Sequence, residues 1–292
     1  VQREGEVLGA AILAGASGLE ALRASTYVDA SGGAVLAHAA ACEMLPPGDL
    51  GPLPASLMFF VREMSEAVEP QLPEGWFEPV TRREDVPMIS EWPNGPGGKA
   101  LKLKVTGYDS GDTEGFSALE ARARRRQWEV LDFYQRQQGR PWRLDHASPI
   151  VGLRETRRIA GEYVLTVDDL RAGRAFEDAV ARGVFYLDGM RPDDEKRTYL
   201  LSKEEQGVPP YHIPYRSLVA RGVDNLLMAG RCFSADQLAL SSARVMTTCA
   251  MMGQAAGLAA AKSAHRTCEP RNLDGCELRR ILESRGANLR LP

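Results

Sequence analysis

The spacing of apolar positions changes several times along the chain, and each change predicts an element. Residues 7–14 and 19–24 are apolar-rich runs separated by Gly15, Ala16, Ser17 and Gly18, the pattern of a β-hairpin. Residues 25–30 read as a short buried strand that stops at Ser31, Gly32 and Gly33, and a helix is predicted over 34–44. Pro and Gly dominate 45–98, so loops are expected there, with one strand-like apolar run at 56–61. Alternation over 100–105 predicts an edge strand. A long helix over 117–138 carries charges on one side and Leu119, Trp128, Leu131 and Phe133 on the other. Residues 148–166 are β-type, and Val167, Asp168, Asp169 and Leu170 have the look of a helix start, with acids suited to its macrodipole. Farther on, 225–229 reads as a strand ending in Gly230, and helices are predicted over 247–264 and 277–284. No internal repeat is visible.

Composition bounds the answer without supplying it. The 292 residues are 44% hydrophobic and 26% charged, a globular mixture long enough for one large domain or two ordinary ones. A net charge of −3 offers no broad basic footprint, so no nucleic-acid partner is expected. No apolar run reaches the roughly 18 to 20 residues that span a bilayer. The nearest, 249–261, is Ala- and Gly-rich and broken by Gln254, so no membrane association is expected and the protein should be soluble. Cys42, Cys232, Cys249, Cys268 and Cys276 lack close CxxC spacing, which argues against zinc and iron-sulfur sites and for free thiols in a reducing, cytoplasmic compartment. The first residues show neither an initiator Met nor a signal pattern and read as the interior of a longer chain.

The chemistry concentrates in 225–257: a strand, the turn at Gly230, a polar loop, then a helix beginning near Thr247. A ligand above the end of that strand would meet Gly230 with no side chain in the way. Asp236 would serve as an acceptor for sugar-type hydroxyls and Arg244 as a donor to phosphate or carbonyl oxygens. The helix would aim unpaired backbone N–H groups and a partial positive charge at it. Gly253 and Gly257, four apart, give that helix one smooth face that another backbone could approach closely; an ordinary buried Ala-rich helix would show the same residues.

Four segments, in order, carry a resemblance: 27–33 (YVDASGG), 152–162 (GLRETRRIAGE), 213–218 (IPYRSL) and 225–257. Together they resemble the FAD-dependent oxidoreductases among the glutathione-reductase-like Rossmann flavoproteins. The resemblance implies an α/β fold: a Rossmann-like FAD-binding part, here incomplete, from 1–45 and 219–292, and an inserted α+β substrate domain over 46–218. It implies FAD as cofactor and hydride transfer from an unidentified small-molecule substrate to flavin N5. Ser31, Gly32, Gly230, Arg231, Asp236, Arg244, Thr247 and Thr248 would meet the cofactor. There are departures. Gly33 stands where the family pattern has Asp, and Asp188, Gly189 and Met190 replace an Asp-Ile-His, which removes a possible acid-base histidine. The family's first strand, its GxGxxG turn and its ribose-binding acid are not encoded, so roughly a hundred residues are expected before Val1, or a second chain that completes the FAD site. The competing reading is a non-catalytic fragment or subunit dependent on such a chain.

Individual side chains carry open alternatives. Arg154, Arg157 and Arg158 either hold an anionic substrate or pair with Glu155, Glu162, Asp168 and Asp169; in a strand Arg154 and Arg158 share one face and Arg157 the other. His212 is the candidate proton acceptor, as against a histidine in a surface loop. His38 and Cys232 read as structural.

Overall fold

The computed structural model describes residues 1–70, 72, 77, 79–108 and 111–292 and shows a mixed α/β chain of two compact units. The first comprises Val1–Gly48, Glu155–Gly189 and Leu201–Pro292; the second comprises Asp49–Arg154 and Met190–Leu200. These bounds differ from the expected 1–45, 219–292 and 46–218 mainly in 155–189 and 201–218, which pack in the first unit. Among the described residues, no helix is long and apolar enough to cross a membrane.

In the first unit, β1 (Gln2–Glu4), β2 (Val7–Gly15) and β3 (Gly18–Leu22) form an antiparallel meander around the expected hairpin. β4 (Tyr27–Asp29) leads into α1 (Val35–Ala39), shorter than the predicted helix because Ala41 turns left-handed at φ 54°. The amides of Ala41 and Cys42 fold back onto the carbonyls of His38 and Ala37, which closes the helix end.

The second unit holds β5 (Ala55–Glu63), β6 (Ile89–Pro93), β7 (Gly98–Val105), α2 (Thr113–Arg136) and β8 (Trp142–Ala147). Its antiparallel sheet has the order β6-β7-β5-β8, and α2 packs on β5 and β8. The run at 100–105 is therefore an interior strand and not an edge. Its Lys-Leu alternation reports two unlike faces, which an interior antiparallel strand also has. Asp112 caps α2 by accepting from the Gly115 amide.

The remaining elements return to the first unit: α3 (Val167–Arg171), β9 (Ala179–Gly183), β10 (Tyr211–Pro214), β11 (Leu226–Met228), α4 (Gln237–Ala243), α5 (Met246–Arg266) and α6 (Gly275–Ser284). The β-type stretch 148–166 makes only isolated bridges, for example Met44 to Ile159 and Leu165 to Ala235. α3 begins with a capping box, Thr166 and Asp169 each bonding the other's backbone amide. β9 pairs with β10 antiparallel, and β4 pairs with β11 parallel, with Tyr27 opposite Leu226 and Asp29 opposite Met228. α5 packs on β4, β9 and β11 and against α6.

Candidate functional site

Asp29, at the end of β4, is almost fully buried and uses both carboxylate oxygens on the backbone that follows. Oδ1 accepts from the amide and hydroxyl of Ser31, and Oδ2 from the amide of Ala37. The Ser31 hydroxyl in turn accepts from the Val35 amide. The chain between strand and helix is thereby held in one shape, with Gly32 at φ 71°. A Cβ on Gly32 would sit 2.6 Å from a terminal nitrogen of Arg231, so glycine here lets the guanidinium lie against the turn.

Arg231 comes from the turn after β11. Gly230 takes φ 81° with open space where a side chain would stand, and the turn packs against α5. The Arg231 Nε is buried and has no hydrogen-bond partner among the described residues. Cys232 next to it donates weakly to the carbonyls of Asp29 and Ala229, and burial pushes its thiol up to about 12, so it stays a neutral packing group.

α5 starts without a side-chain cap, its N-cap Val245 in an extended conformation. Its first amides thus present a positive dipole end beside Thr247, which is exposed, while Thr248 is buried under the first turn. Just before it, Arg244 pairs with Asp188 at 2.9 Å and also donates to the Asp188 carbonyl. From Met246 the exposed positions of α5 run Ala250, Gly253, Gly257 and Ala261, and Cβ atoms on the two glycines would meet nothing within 4 Å. The smooth face is uncovered.

Gly32, Arg231, Gly230 and the start of α5 are thus brought together, and Arg244 adjoins them. The other expected site residues are placed differently. Asp236 is a double cap: Oδ1 accepts from Ala239 at the start of α4, and Oδ2 from Val167 at the start of α3, which leaves its carboxylate committed to helix ends. Ser31 is committed to the turn through its hydroxyl. Arg158 is buried in a clamp, bonded to Glu155 at 3.0 Å and to the carbonyls of Ala235 and Pro46, and Glu155 also accepts from Gln237. Arg154 lies in the second unit with Nη1 on the Pro54 carbonyl. His212 is 2% exposed, neither a surface-loop residue nor accessible as a base. Its Nδ1 accepts from the Phe176 amide and its Nε2 donates to the Leu289 carbonyl, so both ring nitrogens are occupied.

Thr156, not singled out in the sequence, and Arg157, one of the three candidate arginines, do reach it. Thr156 donates to the Gly32 carbonyl at 3.2 Å, and Arg157 approaches the Gly33 carbonyl at 3.5 Å. A sequence model of FAD dependent oxidoreductases matches residues 1–282. No curated protein and no solved structure was found to match the chain. On the extent of that match the chain belongs to the FAD-dependent oxidoreductase family, whose cofactor is FAD.

Proposed function

We propose that this chain is the part of an FAD-dependent oxidoreductase that holds the isoalloxazine and ribityl end of the cofactor, on the first unit, with an inserted substrate domain in the second. The observation that carries the reading is the uncapped N-terminus of α5 beside a turn whose buried Arg231 Nε has no hydrogen-bond partner among the described residues. The donors fit a flavin's carbonyl edge: they are cationic or dipolar and need an acceptor. Gly230 and Gly32 leave room for a flat ring to approach the backbone. When bound, the flavin supplies a hydride acceptor at N5 for oxidation of a small organic substrate. The chain's own contribution is electrostatic. The Met246, Thr247 and Thr248 amides and Arg231 favour negative charge on the ring edge, and Asp188 fixes the Arg244 guanidinium immediately ahead of those amides.

A second reading is favoured by the sheet. Among the described residues β4 pairs with β11 alone, and a parallel pair is seldom left as two strands; among the same residues nothing covers the Gly253 and Gly257 face of α5. On this reading a separate segment or chain adds the next strand and the amides that hold pyrophosphate. Both readings expect the 292 residues alone to bind FAD weakly, since the surviving donors reach only the flavin end and each missing charge-assisted bond costs about 1.5 to 3 kcal/mol.

Titration of the purified chain with riboflavin, FMN and FAD, followed by flavin fluorescence, tests the proposal. The three should bind within about threefold of each other, and Arg231→Met should weaken all three about tenfold. Submicromolar FAD binding by the chain alone would overturn the weak binding that both readings expect; no riboflavin binding at all would remove the first.

A further inference from the structure

A guanidinium keeps its charge at every ordinary pH, so an arginine that is partly out of water needs an acceptor. Among the described residues, the arginines that are not exposed meet this need inside the chain, each with a carboxylate or carbonyl oxygen at 3.2 Å or closer. Arg157 and Arg231 are the exceptions. The Arg231 Nε is buried without a hydrogen-bond partner among those residues, and Arg157 has only the long approach of Nη1 to the Gly33 carbonyl at 3.5 Å.

Both exceptions stand at one place in the first unit. The Arg231 guanidinium lies against Gly32, with a terminal nitrogen 2.6 Å from where a Cβ would be, and Arg157 reaches the carbonyl of the next residue. Thr156 donates to the Gly32 carbonyl and so ties the Arg157 segment to the turn. Two cations therefore converge on consecutive residues whose Cα atoms are about 3.8 Å apart. The turn's own acid, Asp29, spends its oxygens on the amides of Ser31 and Ala37 and on the Ser31 hydroxyl, which leaves one positive charge in excess. Arg244 adds none, since Asp188 neutralises it.

The place is open. Ser31 is exposed, and Val35 is 61% exposed. Gly33 is not left-handed, and a Cβ on it would meet Thr156 Oγ1 at 3.4 Å and Val35 Cγ2 at 3.7 Å, which leaves room for a side chain where none stands.

We propose that Arg157, with the charge of Arg231 behind it, is a specificity-determining residue that binds the carboxylate of a monoanionic organic substrate at the edge of the flavin site. One excess charge matches one carboxylate, and the planar fork of a guanidinium matches its two oxygens. Val35 offers an apolar neighbour for the rest of the molecule. The inference rests on the reading of this turn as part of the flavin site, and it names the substrate class.

The probe is 4-fluorobenzoate, titrated into the chain without flavin and followed by its fluorine NMR line, with neutral 4-fluorobenzamide as comparison. The acid should saturate one site and bind about tenfold tighter than the amide, the size of one charge-assisted contact. Arg157→Gln should weaken the acid about tenfold and leave the amide unchanged. Arg157→Lys, which keeps the charge and loses the fork, should recover part of the difference. Gly33→Asp, which places a carboxylate beside the guanidinium, should abolish acid binding. Each variant is checked for an unaltered unfolding midpoint, and Gly33→Asp carries the comparison if Arg157→Gln fails to fold. Equal binding of acid and amide, or full acid affinity in either of those two variants, would overturn the inference. So would displacement of the acid by riboflavin, which would seat it on the flavin's own edge. Tighter, Arg157-dependent binding of inorganic phosphate would also overturn it, by giving the arginines to the cofactor's phosphates. A chain that binds the acid but not riboflavin would count against the flavin reading alone, and the reverse result against the carboxylate site alone.

Discussion

At the scale of single residues, the chain spends its most chemically suggestive side chains on structure. His212 is held neutral inside the protein, with burial setting its pKa below the ordinary 6.5. A histidine that must shed its proton to fold contributes fully above that ordinary value and loses its contribution as pH falls toward the lower folded one. Thermal unfolding midpoints should therefore decline as pH falls below the ordinary 6.5, and His212→Gln should be less stable above it but flatter below it. An unchanged slope in the variant would show that other groups carry the pH dependence. Arg158 and Glu155 are a buried pair whose members are 5% and 1% exposed in their side chains. Removing one partner strands the other, so Arg158→Met should cost about 3 to 5 kcal/mol in urea unfolding, with part of the loss recovered in the double variant with Glu155→Leu. The burial of His212 was not visible in the sequence, and the Arg158–Glu155 pairing was one of two open alternatives. An Arg-Glu pair three residues apart looks the same whether it faces a ligand or a core, and the carbonyls of Pro46 and Ala235 decide which.

Among the elements, those with strong local signals were legible and those made by distant partners were not. β4, α2, α5 and the start of α3 follow from apolar spacing and caps. α4 was read as a polar loop because QLALSSA has little periodicity over seven residues; Asp236 holds it, and the same carboxylate that looked like a ribose acceptor is the reason the helix exists. Asp236→Ala should thus cost about 1 to 2 kcal/mol, while Asp236→Asn, still a good cap, should cost far less and leave riboflavin binding as it was. Loss of riboflavin binding in a stable Asp236→Asn protein would restore the ligand role. α1 allows a converse test. Its left-handed terminator is Ala41, where glycine carries no Cβ penalty, so Ala41→Gly should raise stability by about 1 kcal/mol. The Tyr27 amide donates to the Asn225 carbonyl and the Asp29 carbonyl accepts from the Ala229 amide, so these two residues of β4 turn to β11 and the Val28 amide turns to the opposite edge. That amide should exchange with solvent much faster than its neighbours and become protected if a completing strand is supplied.

For the whole molecule, two hydrophobic clusters correspond to the two compact units, one built around β4, β11 and α5 and the other around β5, β7 and α2. Leu101→Ala, inside the second cluster, should cost about 2 to 5 kcal/mol and lower the unfolding transition of that unit, with near-UV signals from Tyr211 and Tyr215 of the first unit far less affected. The sequence indicated two parts with interleaved chain and treated 46–218 as continuous, whereas 155–189 and 201–218 pack in the first unit. Their side chains are β-type and apolar in either environment, and the contacts that place them, such as Ile159 on Cys232 and Leu165 on Ser234, are long-range. That long range has a temporal side. β4 and β11 are parallel partners about 200 residues apart, whereas β5 to β8 close within Ala55–Ala147. Contact order therefore ranks the two units: the second can form as soon as it leaves the ribosome, while the strand at Tyr27 must wait, its edge unsatisfied, until most of the polypeptide has been synthesised.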